Sequence, residues 1–361
     1  MNLEAVRAEI PVLERAAYLN AGTIGPLPRR TVETMVRHIE ERLALGRAGR
    51  AFFEGALAAR DELRARLAAL IGAPRESLAL AISTTEGCNI VVAGLRLEAG
   101  DEVVTTDAEH PGLLGALRAW NLDLRKAAVS RARATDAFDL VRREVTPRTK
   151  LVAVSHVVWT TGQVMPVREL TGLGVPLLVD GAQSAGAIPV DLEALGCDFY
   201  TVSGQKWLLG PDATGGLYVR PDWIDRLAQT FPSYPAWADV TTLEPWPDAR
   251  RFESLFTPTA SVAGLLESLA FADGAGEERF AHARGIAERC RELVGARCEV
   301  VTEPGQAGLV SFRPNGDPAE TVARLEEAGV IVRDLPGTGL VRASCGFWTS
   351  DGDLARLAGA L

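Results

Sequence analysis

The chain has 361 residues, of which 47% are hydrophobic and 24% charged, so it is long enough for a globular protein with two domains. Asp and Glu number 47 against 38 Lys and Arg, and the net charge of −9 argues against a surface that binds nucleic acid. Five widely spread cysteines without a C-x-x-C pair, and four scattered histidines, argue against a disulfide framework and against a metal site.

The N-terminal part of the chain predicts helices. Residues 1–14 alternate charge with Leu, Val and Ala, which is typical of an amphipathic helix and not of a signal peptide. Residues 40–71 are rich in Ala, Arg, Glu and Leu and predict a helix that is broken around Gly46 to Gly49. No apolar run approaches the roughly 18 residues that a membrane span needs. We therefore expect a cytoplasmic protein that does not bind a membrane.

Between Leu78 and Val219, short apolar runs alternate with helical stretches. This rhythm predicts an α/β domain with a mostly parallel sheet, because strands covered on both faces need not alternate apolar and polar residues. The predicted strands are Leu78–Ile82, Glu102–Thr105, Leu151–Ser155, Pro176–Val179, Phe199–Val202 and Gly216–Val219. Ligands of such sheets bind beyond the carboxyl ends of the strands, so the polar residues that follow them should converge on one cavity.

A loop rich in Pro and Trp between Arg220 and Arg250 marks the predicted domain boundary. We expect residues 1–250 to form a large domain and residues 251–361 to form a smaller α+β domain, on which the N-terminal segment is free to pack. The predicted helices of the smaller domain are Ala260–Ala272, Glu277–Val294 and Pro318–Ala328, and its predicted strands are Cys298–Thr302, Leu309–Phe312, Val330–Arg333 and Gly339–Ala343.

Asp180 directly follows one predicted strand and Lys206 follows the next, so both side chains should lie at neighbouring strand ends. Pyridoxal 5'-phosphate (PLP) needs such a pair, because a lysine bonds to its aldehyde and an anion keeps its pyridine nitrogen protonated. Taken singly, the aspartate is typical of a helix cap and the lysine of an exposed loop. Together, in Gly-rich turns with Gln183, Ser203 and Gln205 beside them, they predict a PLP site.

These segments resemble the aminotransferase class V group of fold-type I PLP-dependent enzymes, which includes cysteine desulfurases, isopenicillin N epimerases and cystine C–S lyases. The resemblance runs from Tyr18-Leu-Asn-Ala-Gly to Val341-Arg-Ala-Ser-Cys-Gly-Phe. It is closest to the C–S lyases, through the segments 156–166 and 210–220. The resemblance implies a large domain with a mostly parallel sheet, a smaller C-terminal α+β domain, and an amino acid as substrate.

The resemblance also implies a role for each matching residue. The cofactor phosphate would be held by Thr84, Thr85, Ser203 and Gln205, the phenolic oxygen by Gln183 and the pyridine nitrogen by Asp180. His110 would stack on the ring and assist proton transfer, and Lys206 would be the catalytic base. Arg342, with Asn20 as a weaker candidate, would bind the substrate carboxylate. Members of the group are usually homodimers. The segment Arg251-Phe-Glu-Ser-Leu-Phe-Thr257 resembles one whose threonine reaches the partner's phosphate, which implies that role for Thr257.

The sequence departs from the family pattern at three places, and these departures reduce the number of reactions that it predicts. Gln205 replaces a histidine and cannot titrate near neutral pH. Trp159 replaces the asparagine that desulfurases usually carry near the cofactor's oxygen. The stretch from Arg333 to Arg342 contains no cysteine, and Cys345 after it is typical of a small packed residue, whereas a desulfurase needs a reactive thiolate there.

We therefore predict a PLP-dependent lyase that cleaves the C–S bond of a cysteine-like amino acid by β-elimination, without a catalytic cysteine. An aminotransferase or epimerase of another amino acid, and a cysteine desulfurase, stay open as alternatives. A nicotinamide-dependent dehydrogenase is disfavoured because no G-x-G-x-x-G motif lies between a strand and a helix. A non-catalytic member of the fold would be expected to lack the lysine or the aspartate, and both are present.

Overall fold

The structure is a computed structural model that describes residues 1–361. Its helices are α1 (Leu3–Ala8), α2 (Arg29–Leu45), α3 (Arg50–Leu70), α4 (Thr84–Gly94), α5 (Pro111–Arg118), α6 (Ala137–Glu144), α7 (Val167–Thr171), α8 (Leu192–Leu195), α9 (Thr259–Gly274), α10 (Glu278–Gly295), α11 (Pro318–Glu327) and α12 (Asp351–Ala360). Its strands are β1 (Ala17–Tyr18), β2 (Leu78–Ala81), β3 (Glu102–Thr106), β4 (Asp123–Ala127), β5 (Thr149–Ser155), β6 (Leu177–Asp180), β7 (Phe199–Ser203), β8 (Gly215–Val219), β9 (Trp237–Asp239), β10 (Glu244–Pro245), β11 (Glu299–Val300), β12 (Leu309–Arg313), β13 (Val330–Ile331), β14 (Arg333–Leu335) and β15 (Leu340–Ser344).

A seven-stranded sheet in the order β2-β8-β7-β6-β5-β3-β4 forms the centre of the large domain. All neighbouring pairs from β7 to β4 are parallel, and only β8 runs antiparallel to both of its neighbours, which confirms the predicted mostly parallel α/β sheet. Strand β4 is not among the strands that the sequence pattern predicts. This strand lies at the sheet edge and is largely polar (Asp-Leu-Arg-Lys-Ala), so it lacks the apolar run that marks the buried strands.

Helices cover both faces of this sheet. Helices α4 and α5 pack on one face, where Val91 and Leu113 meet side chains of β3, β5 and β7. Helices α3, α6 and α9 pack on the other face. The strands are therefore buried on both sides, and their carboxyl ends open onto the loops that carry the predicted site residues.

The smaller sheet has the antiparallel order β11-β12-β15-β14 and shares a core with α10, α11 and α12. The N-terminal strand β1 pairs in parallel with β13, and Ala17 and Leu19 belong to the same core. Conversely, α9 contributes Val262 and Leu265 to the core of the large sheet. The domain boundary near residue 250 stays a prediction.

The predicted break in the first long helical region is present. Gly46 and Gly49 separate α2 from α3 and have φ angles of 81° and 86°, a conformation that glycine adopts without a steric penalty. None of the helices combines the length and the apolar character that crossing a membrane requires.

Candidate active site

Asp180 ends β6 and Lys206 lies three residues beyond the end of the adjacent strand β7, as their spacing predicts. Asp180 is buried, and its Oδ1 accepts hydrogen bonds from the backbone N–H of Ala182 (2.9 Å) and from the hydroxyl of Thr201 (3.4 Å). No lysine or arginine of the chain forms a salt bridge with it. A buried carboxylate of this kind is costly unless a cationic ligand balances its charge.

The amine of Lys206 is poised to lose its proton. Burial lowers the pKa of Lys206 to about 8; Asp180 opposes this shift, and Arg342 and Arg333 add to it. Roughly a tenth of such an amine is neutral at pH 7, far more than for an unperturbed lysine. The neutral amine is the form that attacks an aldehyde or accepts a proton. Gly25 packs on this turn so closely that a Cβ there would lie 2.0 Å from the carbonyl oxygen of Lys206.

The N-terminus of α4 provides the predicted phosphate site. Ser83 caps the helix by accepting the backbone N–H of Glu86 (3.1 Å), and Thr84 and Thr85 are the first two helical residues. The free N–H groups and partial positive charge of a helix N-terminus favour an anion there. From the neighbouring strand end, the hydroxyl of Ser203 donates to Oε1 of Gln205 (3.2 Å), which leaves the amide N–H groups of Gln205 available as donors.

His110 is the N-cap residue of α5. Its Nδ1 accepts the backbone N–H of Gly112 (3.0 Å), so the ring proton is placed on Nε2. Burial lowers the pKa of His110, and the charge of Lys206 lowers it further, so the ring is neutral at pH 7. Its edge meets Trp159 at 5.2 Å between ring centroids and an angle of 87°. A Cβ on Gly112 would lie 2.5 Å from Oγ1 of Thr85, so α5 starts directly against the phosphate site.

Gln183 is buried and bridges two parts of the site. Its Nε2 donates to the carbonyl oxygen of Gly22 (2.8 Å), and its Oε1 accepts from Nε1 of Trp207 (3.0 Å). These bonds fix the amide orientation and leave one N–H, which is the group that the predicted contact with a phenolic oxygen requires.

Two arginines converge on Thr23. Arg342 in β15 is buried, and its Nη1 donates to the carbonyl oxygen of Trp159 (2.8 Å), its Nη2 to Oγ1 of Thr23 (3.4 Å), whereas its Nε has no partner. Burial and, to a smaller extent, the charge of Arg333 lower the pKa of Arg342 to about 9. Nη1 of Arg333 donates to the same Thr23 hydroxyl (3.3 Å), which in turn donates to Oδ1 of Asn20 (2.8 Å). Neither arginine pairs with a carboxylate of the chain, so both are available to an anionic ligand.

The sequence analysis assigned no role to Arg333. No motif marks it, but in the structure β14 pairs with β15 so that Arg333 lies directly opposite Arg342. Only a prediction of this hairpin register could have identified Arg333 as a site residue from the sequence.

These residues fit PLP. Four features surround one region of the structure. They are a buried carboxylate without a cation, a lysine with a lowered pKa, a helix N-terminus with neighbouring hydroxyl and amide donors, and a neutral histidine. The carboxylate matches the pyridine nitrogen of this cofactor and the lysine matches its aldehyde. The helix N-terminus matches the phosphate, and the histidine matches the ring face. The fold and the site thus define a fold-type I PLP-dependent enzyme.

Comparison with known sequences identifies the family. The sequence profile of the family Aminotransferase class-V matches residues 17–350, and the chain belongs to this family. It is 32% identical to the isopenicillin N epimerase of Streptomyces clavuligerus, over 99% of this chain and 97% of that protein. It is 31% identical to a probable cysteine desulfurase of Methanothermobacter thermautotrophicus, over 92% of this chain and 87% of that protein.

Comparison with solved structures gives the same result. The cystine C–S lyase C-DES, in complex with its product cysteine persulfide, superposes with a TM-score of 0.91 at 29% identity and covers 97% of this chain and 98% of its own. A C-DES mutant with glycine covalently linked to PLP matches equally well, over 98% of both chains. PLP is therefore the cofactor of this enzyme.

Most of the predicted site residues lie together. Around the ends of β6 and β7 and the starts of α4 and α5, the structure brings together Asp180, Gln183, Ser203, Gln205, Lys206, Thr84, Thr85 and His110, and around Thr23 it brings together Arg342 and Asn20. Thr257 is not among these contacts and is buried within its own chain. The individual roles of these residues, including the contact of Thr257 with a partner's phosphate, stay predictions.

Proposed function

We propose that this enzyme cleaves the C–S bond of a cysteine-like amino acid by β-elimination without using a cysteine of its own, and that its preferred substrate carries a second carboxylate, as cystine does. The pair of guanidinium groups at Thr23, neither of which has a carboxylate partner in the chain, is the observation that carries the proposal. An enzyme that binds a single α-carboxylate needs only one such group.

The side chains have separate tasks in this reaction. When bound, PLP supplies the electron sink that makes the Cα proton of an amino acid acidic. Lys206 accepts that proton at Nζ, which its lowered pKa favours. The Cα–H electron pair forms the Cα=Cβ bond, the Cβ–S bond breaks, and the sulfur leaves with its electron pair. Asp180 would hold the pyridine nitrogen of the cofactor, and neutral His110 would cover its ring.

The cysteines support elimination over persulfide transfer. Cys88, Cys197, Cys290 and Cys345 are buried, and only Cys298 is partly exposed. Burial raises the pKa of Cys88 and Cys298 and raises that of Cys197 to about 12. The pKa of Cys345 is also raised, first by its hydrogen bond with Cys290 and then by burial. A persulfide carrier has to be an accessible thiolate, and none of these five residues has that character.

The test is product analysis on the reconstituted enzyme. We expect cystine to yield a keto acid, ammonia and a persulfide product, and we expect a variant with all five cysteines replaced by Ala or Ser to retain most of this turnover. Retained visible absorbance of the cofactor verifies folding. Loss of turnover in Cys345→Ala alone would instead indicate a desulfurase. Rapid racemisation or amino transfer without keto acid from any sulfur amino acid would indicate an epimerase, as the relative from Streptomyces clavuligerus is named, or an aminotransferase.

We also propose that the enzyme is a homodimer. Leu43, Leu45 and Phe53 at the junction of α2 and α3 are 85%, 81% and 59% exposed, and Leu255 and Phe256 beside the predicted trans contact of Thr257 are also exposed. Apolar side chains grouped at an exposed position favour a protein contact. Light scattering on the cofactor-loaded protein should give twice the chain mass, and Leu43→Glu with Leu45→Glu should lower it. An active wild-type monomer would refute this proposal.

A further inference from the structure

Glu109 is a buried carboxylate directly before His110, and the reaction outlined above does not use it. It accepts three hydrogen bonds, from the hydroxyl of Thr106 (2.6 Å) and from both the backbone N–H (2.9 Å) and the hydroxyl (2.5 Å) of Ser155. These bonds tie the loop that carries His110 to the carboxyl end of β5. No cationic side chain pairs with the carboxylate, so three neutral donors alone stabilise its charge.

Glu109 is only one strand away from the counter-ion of the cofactor. Ser155 ends β5 and lies opposite Asp180 at the end of β6, and the next backbone N–H, that of His156, donates to the carbonyl oxygen of Asp180 (2.9 Å). The chain therefore places two carboxylates without arginine or lysine partners on either side of Ser155, next to the proposed cofactor site. Such a pair is costly in the empty protein and favourable beside a cation.

The titration behaviour of the neighbouring groups agrees with this geometry. Burial raises the pKa of Glu109 to about 7, the hydrogen bonds from Ser155 and Thr106 oppose the shift, and Asp180 adds to it. The thiol of Cys88 on α4 also lies close to both carboxylates, and its pKa is raised well above its usual value by burial and by the charges of Asp180 and Glu109. Cys88 thus stays neutral, and Asp180 and Glu109 are the groups that can carry negative charge here. A pKa of about 7 leaves Glu109 about half ionised at pH 7 in the empty protein, and a cation bound nearby would favour its charged form.

We propose that Glu109 is a positioning residue for the PLP reaction: it holds the His110 loop through Thr106 and Ser155, and its charge reinforces that of Asp180, so that the bound cofactor keeps its protons. This role is independent of which amino acid the enzyme cleaves. It depends only on PLP as the cofactor.

The charge is separable from the shape by mutation. Glu109→Gln keeps the length of the side chain and an oxygen that accepts from Ser155, but removes the negative charge. Thr106→Val removes one donor and keeps the carboxylate, so its effect should be in the same direction and smaller. Thr105→Val is a matched control, because the buried hydroxyl of Thr105 donates to the carbonyl oxygen of Ala153 (2.7 Å) and does not touch Glu109.

The measurement is a spectrophotometric pH titration of each holoenzyme, without substrate. A nearby negative charge favours the protonated form of the Lys206-bound cofactor, so its removal should lower the midpoint of the visible absorbance change. We expect a decrease of about one pH unit in Glu109→Gln, a smaller decrease in Thr106→Val and none in Thr105→Val. Glu109→Gln should also lose PLP faster on dialysis.

If Glu109 had only a structural role, its replacement would change the melting temperature and not the midpoint of the pH titration. If Glu109→Gln melts at a lower temperature but its midpoint stays within about 0.2 pH units of wild type, the charge has no role and the proposal is wrong. An equal shift in Thr105→Val would also overturn it, because any buried polar residue of β3 would then have the same effect. Should Glu109→Gln not fold, the comparison of Thr106→Val with Thr105→Val decides the question alone.

Discussion

Replacing Arg333 by methionine should separate substrates by their number of carboxylates. Methionine keeps an apolar side chain of similar length and removes the guanidinium that lies 3.3 Å from Oγ1 of Thr23. A hydrogen bond to a charged group contributes about 1.5–3 kcal/mol. Its loss corresponds to a decrease of roughly 10- to 150-fold in kcat/KM for cystine, mainly through KM.

A substrate with one carboxylate should respond differently. The charge of Arg333 lowers the pKa of Arg342, so the substitution removes a repulsive neighbour and leaves Arg342 more firmly protonated. We therefore expect kcat/KM for S-methylcysteine to stay unchanged or to rise slightly. Arg342→Lys, by contrast, should weaken both substrates, because lysine lacks the planar fork of donors.

The assay is keto-acid release from each substrate, with the visible absorbance of the cofactor as the check on folding. Arg313→Met is the control, since Arg313 lies on β12 of the same four-stranded sheet as Arg333 and pairs with Glu299 (3.4 Å) outside the site. Equal losses on cystine and S-methylcysteine in Arg333→Met would refute the assignment of Arg333 to a second carboxylate. An unchanged kcat/KM for cystine would refute it as well.

Three further predictions concern the covalent link at Lys206, the pKa of Lys206 and the buried ion pairs of Glu253. Lys206→Ala should lose the covalent link to the cofactor. Borohydride reduction and peptide mapping should therefore label wild type at Lys206 and leave the variant unlabelled. A label on another lysine would contradict the assignment of Lys206 as the cofactor-binding lysine. The rate of PLP capture by the cofactor-free enzyme should rise with pH with a midpoint near pH 8, where half of the Lys206 amine is neutral, and in Asp180→Asn this midpoint should lie at lower pH, because Asp180 raises that pKa; stopped-flow absorbance checks both. Glu253→Gln should reduce the free energy of unfolding by about 3–5 kcal/mol, because Glu253 is the buried partner of Arg60 and Arg64; urea unfolding measures this, and a midpoint equal to wild type would contradict it.

The parts of the fold that local patterns determine could be predicted from the sequence. The buried strands β2, β3, β5, β6, β7 and β8 stand out as apolar runs, and the polar residues that follow them mark the edge where ligands bind. Asp180 and Lys206 belong to this group, because Asp180 ends β6 and Lys206 lies three residues beyond the end of β7. The edge strand β4 was missed for the converse reason: its residues are polar, and only its hydrogen bonds to β3 make it a strand.

The other residues of the site depend on register, which no local pattern reveals. Arg333 becomes a partner of Arg342 only because β14 and β15 form a hairpin that sets the two residues opposite each other, and a shift by one position would turn Arg333 to the other face. Glu109 approaches Asp180 only because β5 lies between the loop after β3 and β6, so that Ser155 contacts one carboxylate and lies opposite the other. Both residues carry a charge that the chain itself leaves uncompensated. The proposed ligands, a substrate carboxylate for Arg333 and the protonated pyridine nitrogen of the cofactor for Glu109, would provide the opposite charge, so charged side chains without an ionic partner near the site identify residues that sequence motifs do not mark.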